Sequence, residues 1–263
     1  MEKKKNLLSI IYSVLLLFFF SVHNAFAATI KKEVEVVTPD NFIIKATVCY
    51  PKVKQEEKFP TVVLLHSFGY NSNRWVGIQD KLIDAGYAWV AIDLRGHGKS
   101  TQNAEFKKIS WLNLKQKAFL KYPTDVSTIL KEISANYKKI SFNNWAIIGG
   151  DIGGNTGVLA AQQMPQRPSA IVLISPNTSF KGLYIPVAIT ELGNTAFLCV
   201  ASENDSAALQ AEQTLRKFAQ ADFENLNIPR NGSGMMLINQ NPELSDMIIK
   251  WLDKYLKPEQ VQQ

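Results

Sequence analysis

Five short runs, residues 61–65, 88–92, 145–148, 170–174 and 196–200, are almost wholly apolar. A strand with one face in water alternates polar and apolar side chains. These runs do not alternate, so each predicts a strand covered on both faces. Between and after them lie segments with apolar residues at helical spacing, 73–85, 124–137, 154–163, 206–219 and 242–256, several of which open on Asn, Thr or Ser caps. Parallel strands need long crossovers, and crossover helices pack on the sheet, so the alternation predicts a mostly parallel α/β sheet with helices on both faces. Residues 33–37 and 42–50 do alternate, and Thr38-Pro39-Asp40-Asn41 separates them with a turn signal. They predict an opening antiparallel hairpin.

The N-terminus carries Lys3-Lys4-Lys5, an apolar run over 7–22 and Ala25-Phe26-Ala27. These are the basic, apolar and small-residue parts of a secretory signal, with cleavage expected after Ala27 and a secreted or periplasmic product. The alternative is an uncleaved anchor. The expected layout is a signal over 1–27, one domain over 28–257 and a flexible polar tail over 258–263, with no stable membrane span after cleavage. The formal net charge of +6 falls to about +4 once the signal leaves. Lys107, Lys108, Lys115, Lys117 and Lys121 are interleaved with apolar residues, which suits a solvated helix face better than a nucleic-acid stripe, and no nucleic-acid partner is expected. Cys49 and Cys199 sit in apolar segments as small buried hydrophobes, and nothing requires a disulfide.

Residues 147–154 read Ile147-Ile148-Gly149-Gly150-Asp151-Ile152-Gly153-Gly154. The spacing Gly149-x-Asp151-x-Gly153 is that of a sharp strand-to-helix turn that pushes its central side chain out at the top of a sheet. In catalytic versions that residue is Ser. Asp tolerates positive φ, so the turn survives without the hydroxyl. The three histidines are His23, His66 and His97, and none follows this turn.

Taken together, these segments resemble the α/β-hydrolase superfamily over nearly the whole mature chain. Leu64-Leu65-His66-Ser67-Phe68-Gly69 resembles its oxyanion loop, and 92–100, with Asp93-x-Arg95-Gly96-x-Gly98-x-Ser100, resembles the loop after the fourth strand. Residues 202–206 resemble the acid-bearing loop, and Gly232-Ser233-Gly234 the Gly-His-Gly loop with Ser for His. Small lid-less esterase-like and serine-aminopeptidase-like members are the most similar. The resemblance implies an eight-stranded sheet without a cap domain. It also implies Asp151 at the nucleophile position, Asp205 at the acid position and Ser233 at the His position. Phe68 and Ile152 would supply the oxyanion N–H groups, with His66 and Ser67 in the loop beneath. His66 would brace that loop or, alternatively, move protons; His97 would stabilise its own loop; Asp205 would orient a base or cap the next helix. Converging, Asp151, Asp205 and Ser233 would make an oxygen-rich pocket suited to a cation or protonated amine. No metal and no cofactor is expected.

Haloalkane dehalogenases, fluoroacetate dehalogenases and many epoxide hydrolases of this superfamily use an elbow Asp as nucleophile. They also need a His to hydrolyse the ester intermediate, and they carry a helical cap. Here Ser233 stands at the His position, and 175–195 is too short for a cap and is broken by Pro176, Gly182, Pro186 and Gly193. A carboxylate beside two N–H donors also competes with an incoming oxyanion. One expectation is therefore an exported, catalytically degenerate member that binds a small-molecule ligand, an acyl- or ester-like compound, or a protein. The other is an active hydrolase using Asp151 with an unconventional base such as His66. The oligomeric state is not encoded in any recognisable pattern.

Overall fold

The computed structural model describes residues 28–53 and 58–257. The expected signal over 1–27 and the tail over 258–263 lie outside the described residues. Strands β1 (Thr29–Val37) and β2 (Phe42–Pro51) form the antiparallel hairpin, turning through Asn41 at φ 60°. Then follow β3 (Phe59–Leu65), α1 (Val76–Asp84), β4 (Ala88–Asp93), the two-residue β5 (Gln102–Asn103), α2 (Gln116–Phe119), α3 (Tyr122–Asn136), β6 (Ile140–Gly150) and α4 (Ile152–Ala161). The second half holds β7 (Ala170–Ile174), β8 (Ser179–Phe180), β9 (Leu183–Tyr184), α5 (Pro186–Glu191), β10 (Ala196–Ser202), α6 (Ser206–Arg216), β11 (Phe223–Ile228), α7 (Met236–Gln240) and α8 (Pro242–Leu256).

The eight main strands run in the order β1-β2-β4-β3-β6-β7-β10-β11, with β5 attached to β2. From β4 to β11 every pairing is parallel. Alternate residues of the apolar strands point to opposite faces. Val63, Leu65 and Ile147 join the core under α3 and α4, whereas Val62, Leu64 and Ile148 join the core under α1 and α8. This is why those strands show no alternation in the sequence. No described helix is long and apolar enough to cross a membrane.

Several boundaries differ from expectation for local reasons. The helix expected over 73–85 is a 3-10 turn, Ser72–Trp75, capped by the Asn71 side chain and continued by α1. Helix α3 begins before Thr124 because Pro123 occupies its first turn, where no N–H is needed. The lysines of 107–121 do not share a helix face. Lys107 and Lys108 lie in a loop whose Gln102–Lys108 bridge folds it back on itself, and Lys117 lies in the single turn of α2. Tertiary hydrogen bonds such as Ile109 N–H to Thr101 O and Trp111 N–H to Gly96 O claim the backbone groups a helix would use. All five lysines are nonetheless exposed.

Candidate functional site

Strand β6 passes into α4 through Asp151, whose backbone sits at φ 34°, ψ −107°. The turn is held tightly. A Cβ on Gly153 would come 2.2 Å from the carbonyl oxygen of Leu65, so only glycine lets α4 approach β3 this closely. The Asp151 N–H donates to Ile174 O of β7, which fixes the turn against the neighbouring strand.

The side chain folds back on the turn. Asp151 Oδ1 accepts the N–H of Phe68 at 2.9 Å and the N–H of Ile152 at 2.5 Å. These are the two groups expected to form an oxyanion hole, and a carboxylate of the same chain now fills the space between them. Asp151 is half-buried, and its Oδ2 accepts no hydrogen bond from the described residues. The loop after β11 closes one side: a Cβ on Gly234 would lie 2.7 Å from Asp151 Oδ2. That loop is tied down by Met235 N–H donating to Ser67 Oγ (2.9 Å) and Gly234 N–H donating to Ser175 Oγ (2.8 Å). Ser67 is thus a buried brace between two loops.

Both histidines of the site region are buried and fully engaged. The Leu94 N–H can only donate, so His66 Nε2 accepts it (3.0 Å) and Nδ1–H donates to Ser67 O (2.8 Å). Burial holds the His66 imidazole below its ordinary range. In the same way, the Gly69 N–H donates to His97 Nε2 (3.2 Å), and His97 Nδ1–H donates to Arg95 O (3.1 Å). Burial, with the neighbouring His66, pushes His97 down to about 4. His66 therefore has no nitrogen left to take a proton from a water or from Asp151 without breaking a backbone hydrogen bond.

The other positions do not all meet at Asp151. Asp205 Oδ1 caps α6 by accepting the Ala208 N–H at 3.0 Å. Ser233 is exposed, and its hydroxyl has no partner among the described residues. Asp205 and Ser233 line one open depression of about 470 Å³ with Asn204 and Asn231, and Asp151 is not part of its wall. Of the three residues expected to converge, Asp205 and Ser233 share this depression, while Asp151 Oδ1 is bound to the N–H groups of Phe68 and Ile152. No group of three or more His, Cys, Asp or Glu able to hold a metal occurs among the described residues.

An aromatic cluster covers the Phe68 side. Trp111, Phe180 and Phe119 stand 4.8, 5.7 and 5.9 Å from the Phe68 ring, and Trp111 also stacks on His97 at 5.4 Å. Lys181, at the tip of the β8–β9 hairpin with φ 50°, places its ammonium 5.1 Å from the Phe68 ring. These residues carry no motif. Only Lys181-Gly182, a turn pair between Pro176 and Pro186, marks the hairpin in the sequence. Between β7 and β10 the described chain holds this hairpin and the six-residue α5, and no cap domain.

A mostly parallel sheet with a strand–turn–helix elbow, and with the 66–69 and 232–237 loops gathered around that elbow, defines a hydrolase-type scaffold. The sequence matches the alpha/beta hydrolase fold family over residues 60–241, and the chain belongs to that family. It is 27% identical over 130 residues to the 2-hydroxy-6-oxononadienedioate/2-hydroxy-6-oxononatrienedioate hydrolase of Escherichia coli; the match covers 48% of this chain and 40% of that enzyme. Among solved structures, an esterase of Pyrococcus furiosus superposes with a TM-score of 0.63 at 15% identity, covering 86% of this chain and 91% of the esterase. Dienelactone hydrolase from Anabaena variabilis gives 0.63 at 15%, covering 87% and 99%. An acylaminoacyl peptidase of Pyrococcus horikoshii gives 0.67 at 14%, covering 92% of this chain and 44% of the peptidase. At these identities the superpositions establish the fold.

Proposed function

We propose that the protein is an exported α/β-hydrolase-fold binding module that does not turn over esters. The observation that carries this reading is the double hydrogen bond from Phe68 and Ile152 to Asp151 Oδ1. Acyl transfer needs those donors free for a developing oxyanion, and removing one such donor already costs roughly 10² to 10³ in rate. Here both are spent in the resting protein, on a group whose negative charge repels an oxyanion. The missing base points the same way, since Ser233 stands where proton transfer would be needed and His66 and His97 have committed both ring nitrogens. An Asp-nucleophile mechanism is disfavoured by the same absence of a base, and by the lack of a helical cap between β7 and β10.

The ligand this site favours is a small, neutral or cationic molecule that offers a donor to Asp151 Oδ2 beside the Phe68 aromatic wall, acyl- or ester-like compounds included. A protein ligand is the broader alternative. The E. coli relative and the esterase neighbours make the ester-like class the natural first screen. The test is a panel of short-chain activated esters, haloacids and epoxides, with wild type beside Asp151→Asn. The proposal requires both to stay at the solvent rate while ligand binding is detected by calorimetry. Turnover by wild type that disappears in Asp151→Asn would make Asp151 a nucleophile and overturn it. Intact mass of the exported protein tests cleavage after Ala27.

A further inference from the structure

We infer that the face formed by 104–121 and the β8–β9 hairpin docks on an anionic lipid surface. Three large apolar side chains protrude from it: Phe106 is 74% exposed, Leu112 72% and Leu120 53%. Each sits at a turn or the end of an element, which serves as its tip. Phe106 occupies a turn at φ 59°, Leu112 a 3-10 turn, and Leu120 the end of α2. Around them stand Lys107, Lys108, Lys115 and Lys117, whose ammonium groups make no ion pair or hydrogen bond among the described residues. Lys121 is committed to Asp40, and Glu105, hydrogen-bonded to Asn103, is the one acidic residue in the segment.

The tips share one end of the molecule. The Trp111 N–H donates to Gly96 O beyond the carboxyl end of β4. The Ala104 N–H donates to Asn41 O in the β1–β2 turn, which lies at that same end because Lys45 of β2 pairs with Asp93 of β4. Gly182 of the hairpin abuts Gln116 and Leu120, which adds Lys181 to the same rim. The centre of an interface with a folded protein is depleted of charged residues, lysine among them. Separated apolar tips flanked by unpaired lysines suit a bilayer instead: the tips enter the headgroup region while lysine stems lie along it and their charges meet lipid phosphates. Charge complementarity therefore selects an anionic membrane.

The test uses the chain from Ala28, which retains every residue of both cores. Co-sedimentation is measured with phosphatidylglycerol-containing vesicles and with phosphatidylcholine vesicles alone. Wild type is expected to bind the anionic vesicles, to release with added salt, and to shift Trp111 emission to the blue on binding. Reversing Lys107, Lys108, Lys115 and Lys117 to Glu should weaken partitioning by ~100-fold or more. Phe106→Ser with Leu112→Ser should weaken it by about 10-fold with the charges intact. Thermal melts establish that each variant is folded. Absence of wild-type binding to anionic vesicles overturns the inference. So does binding unchanged by the charge reversal, or equal binding to polyglutamate that does not need the apolar tips, which would mark a general polyanion patch.

Discussion

The backbone N–H of Phe68 donates to Oδ1 of Asp151 across 2.9 Å, joining the loop after β3 to the turn after β6. A hydrogen bond to a carboxylate of this kind contributes about 1.5–3 kcal/mol. Asp151→Ala removes the acceptor and puts Ala at a positive φ it tolerates poorly, so a loss of roughly 2–4 kcal/mol is expected in urea unfolding. Asp151→Asn keeps an acceptor oxygen and a residue type that tolerates the backbone, and should lose no more than about 1 kcal/mol. Equal losses for the two variants would mean that the acceptor is not what holds the turn.

In the chain from Ala28, His66 and His97 are the two histidines left. Both should appear in long-range ¹H–¹⁵N spectra as neutral Nδ1–H tautomers at pH 6–8. His97, pushed down to about 4 by burial, should stay neutral until well below its ordinary range. Its folded value lies below its unfolded one, so its contribution to stability is present above about pH 6.5 and is lost as pH falls towards 4. An imidazolium signal from either ring at pH 6 would contradict the hydrogen-bond assignment and reopen a proton-transfer role.

Arg95 binds Asp125 and Asp40 at once, and its guanidinium lies 4.4 Å from the Phe42 ring centre. Asp125 is 2% exposed, so Arg95→Met would strand a buried carboxylate and should cost about 3–5 kcal/mol. The Arg95 hydrogen bonds, helped by Lys121, hold Asp40 well below the ordinary carboxylate range. Because the folded value is depressed, the stabilisation from Asp40 is complete above about pH 4 and is lost on further acidification. Asp40→Asn should flatten the acid limb of a stability–pH curve recorded by urea titration. An unchanged limb would remove Asp40 as its source.

Glu212 of α6 is buried, with Asn225 Nδ2 donating to its Oε2 at 3.1 Å. Burial raises its carboxyl to about 7. The folded value is above the unfolded one, so the protonated form suits the fold: stability is greatest below about pH 4.5 and is lost as pH rises through 7. Glu212→Gln should then be more stable than wild type at pH 8 by roughly 3 kcal/mol and nearly equal to it at pH 4.5. A pH-independent difference would point to packing instead of ionisation.

The parallel strands were legible because strands covered on both faces leave unbroken apolar runs; β7 and α8 fall on the expected residues. The last strand, β11, was not. As an edge strand reading Phe-Glu-Asn-Leu-Asn-Ile, it is half exposed and carries two asparagines that strands disfavour. The elbow position of Asp151 could be read from Gly149 and Gly153, and so could the loops that meet it. The direction of the Asp151 carboxylate could not, since its partner Phe68 is brought there by the pairing of β3 with β6. Nor could the depression shared by Asp205 and Ser233 be read, since it is lined together with Asn204 and Asn231 from two loops far apart in the sequence.

The carboxylate lodged between Phe68 and Ile152 is tethered, and a tethered group acts at an effective concentration that dissolved ligands do not approach. A dissolved anion seeking the N–H groups of Phe68 and Ile152 would have to displace a carboxylate that never diffuses away. If the proposed binding role holds, reagents that report working hydrolases by trapping a nucleophile in that position should pass this protein over however abundant it is. Its ligands are more readily sought by equilibrium methods, with an unlabelled band in such a survey carrying no information about whether the pocket is in use.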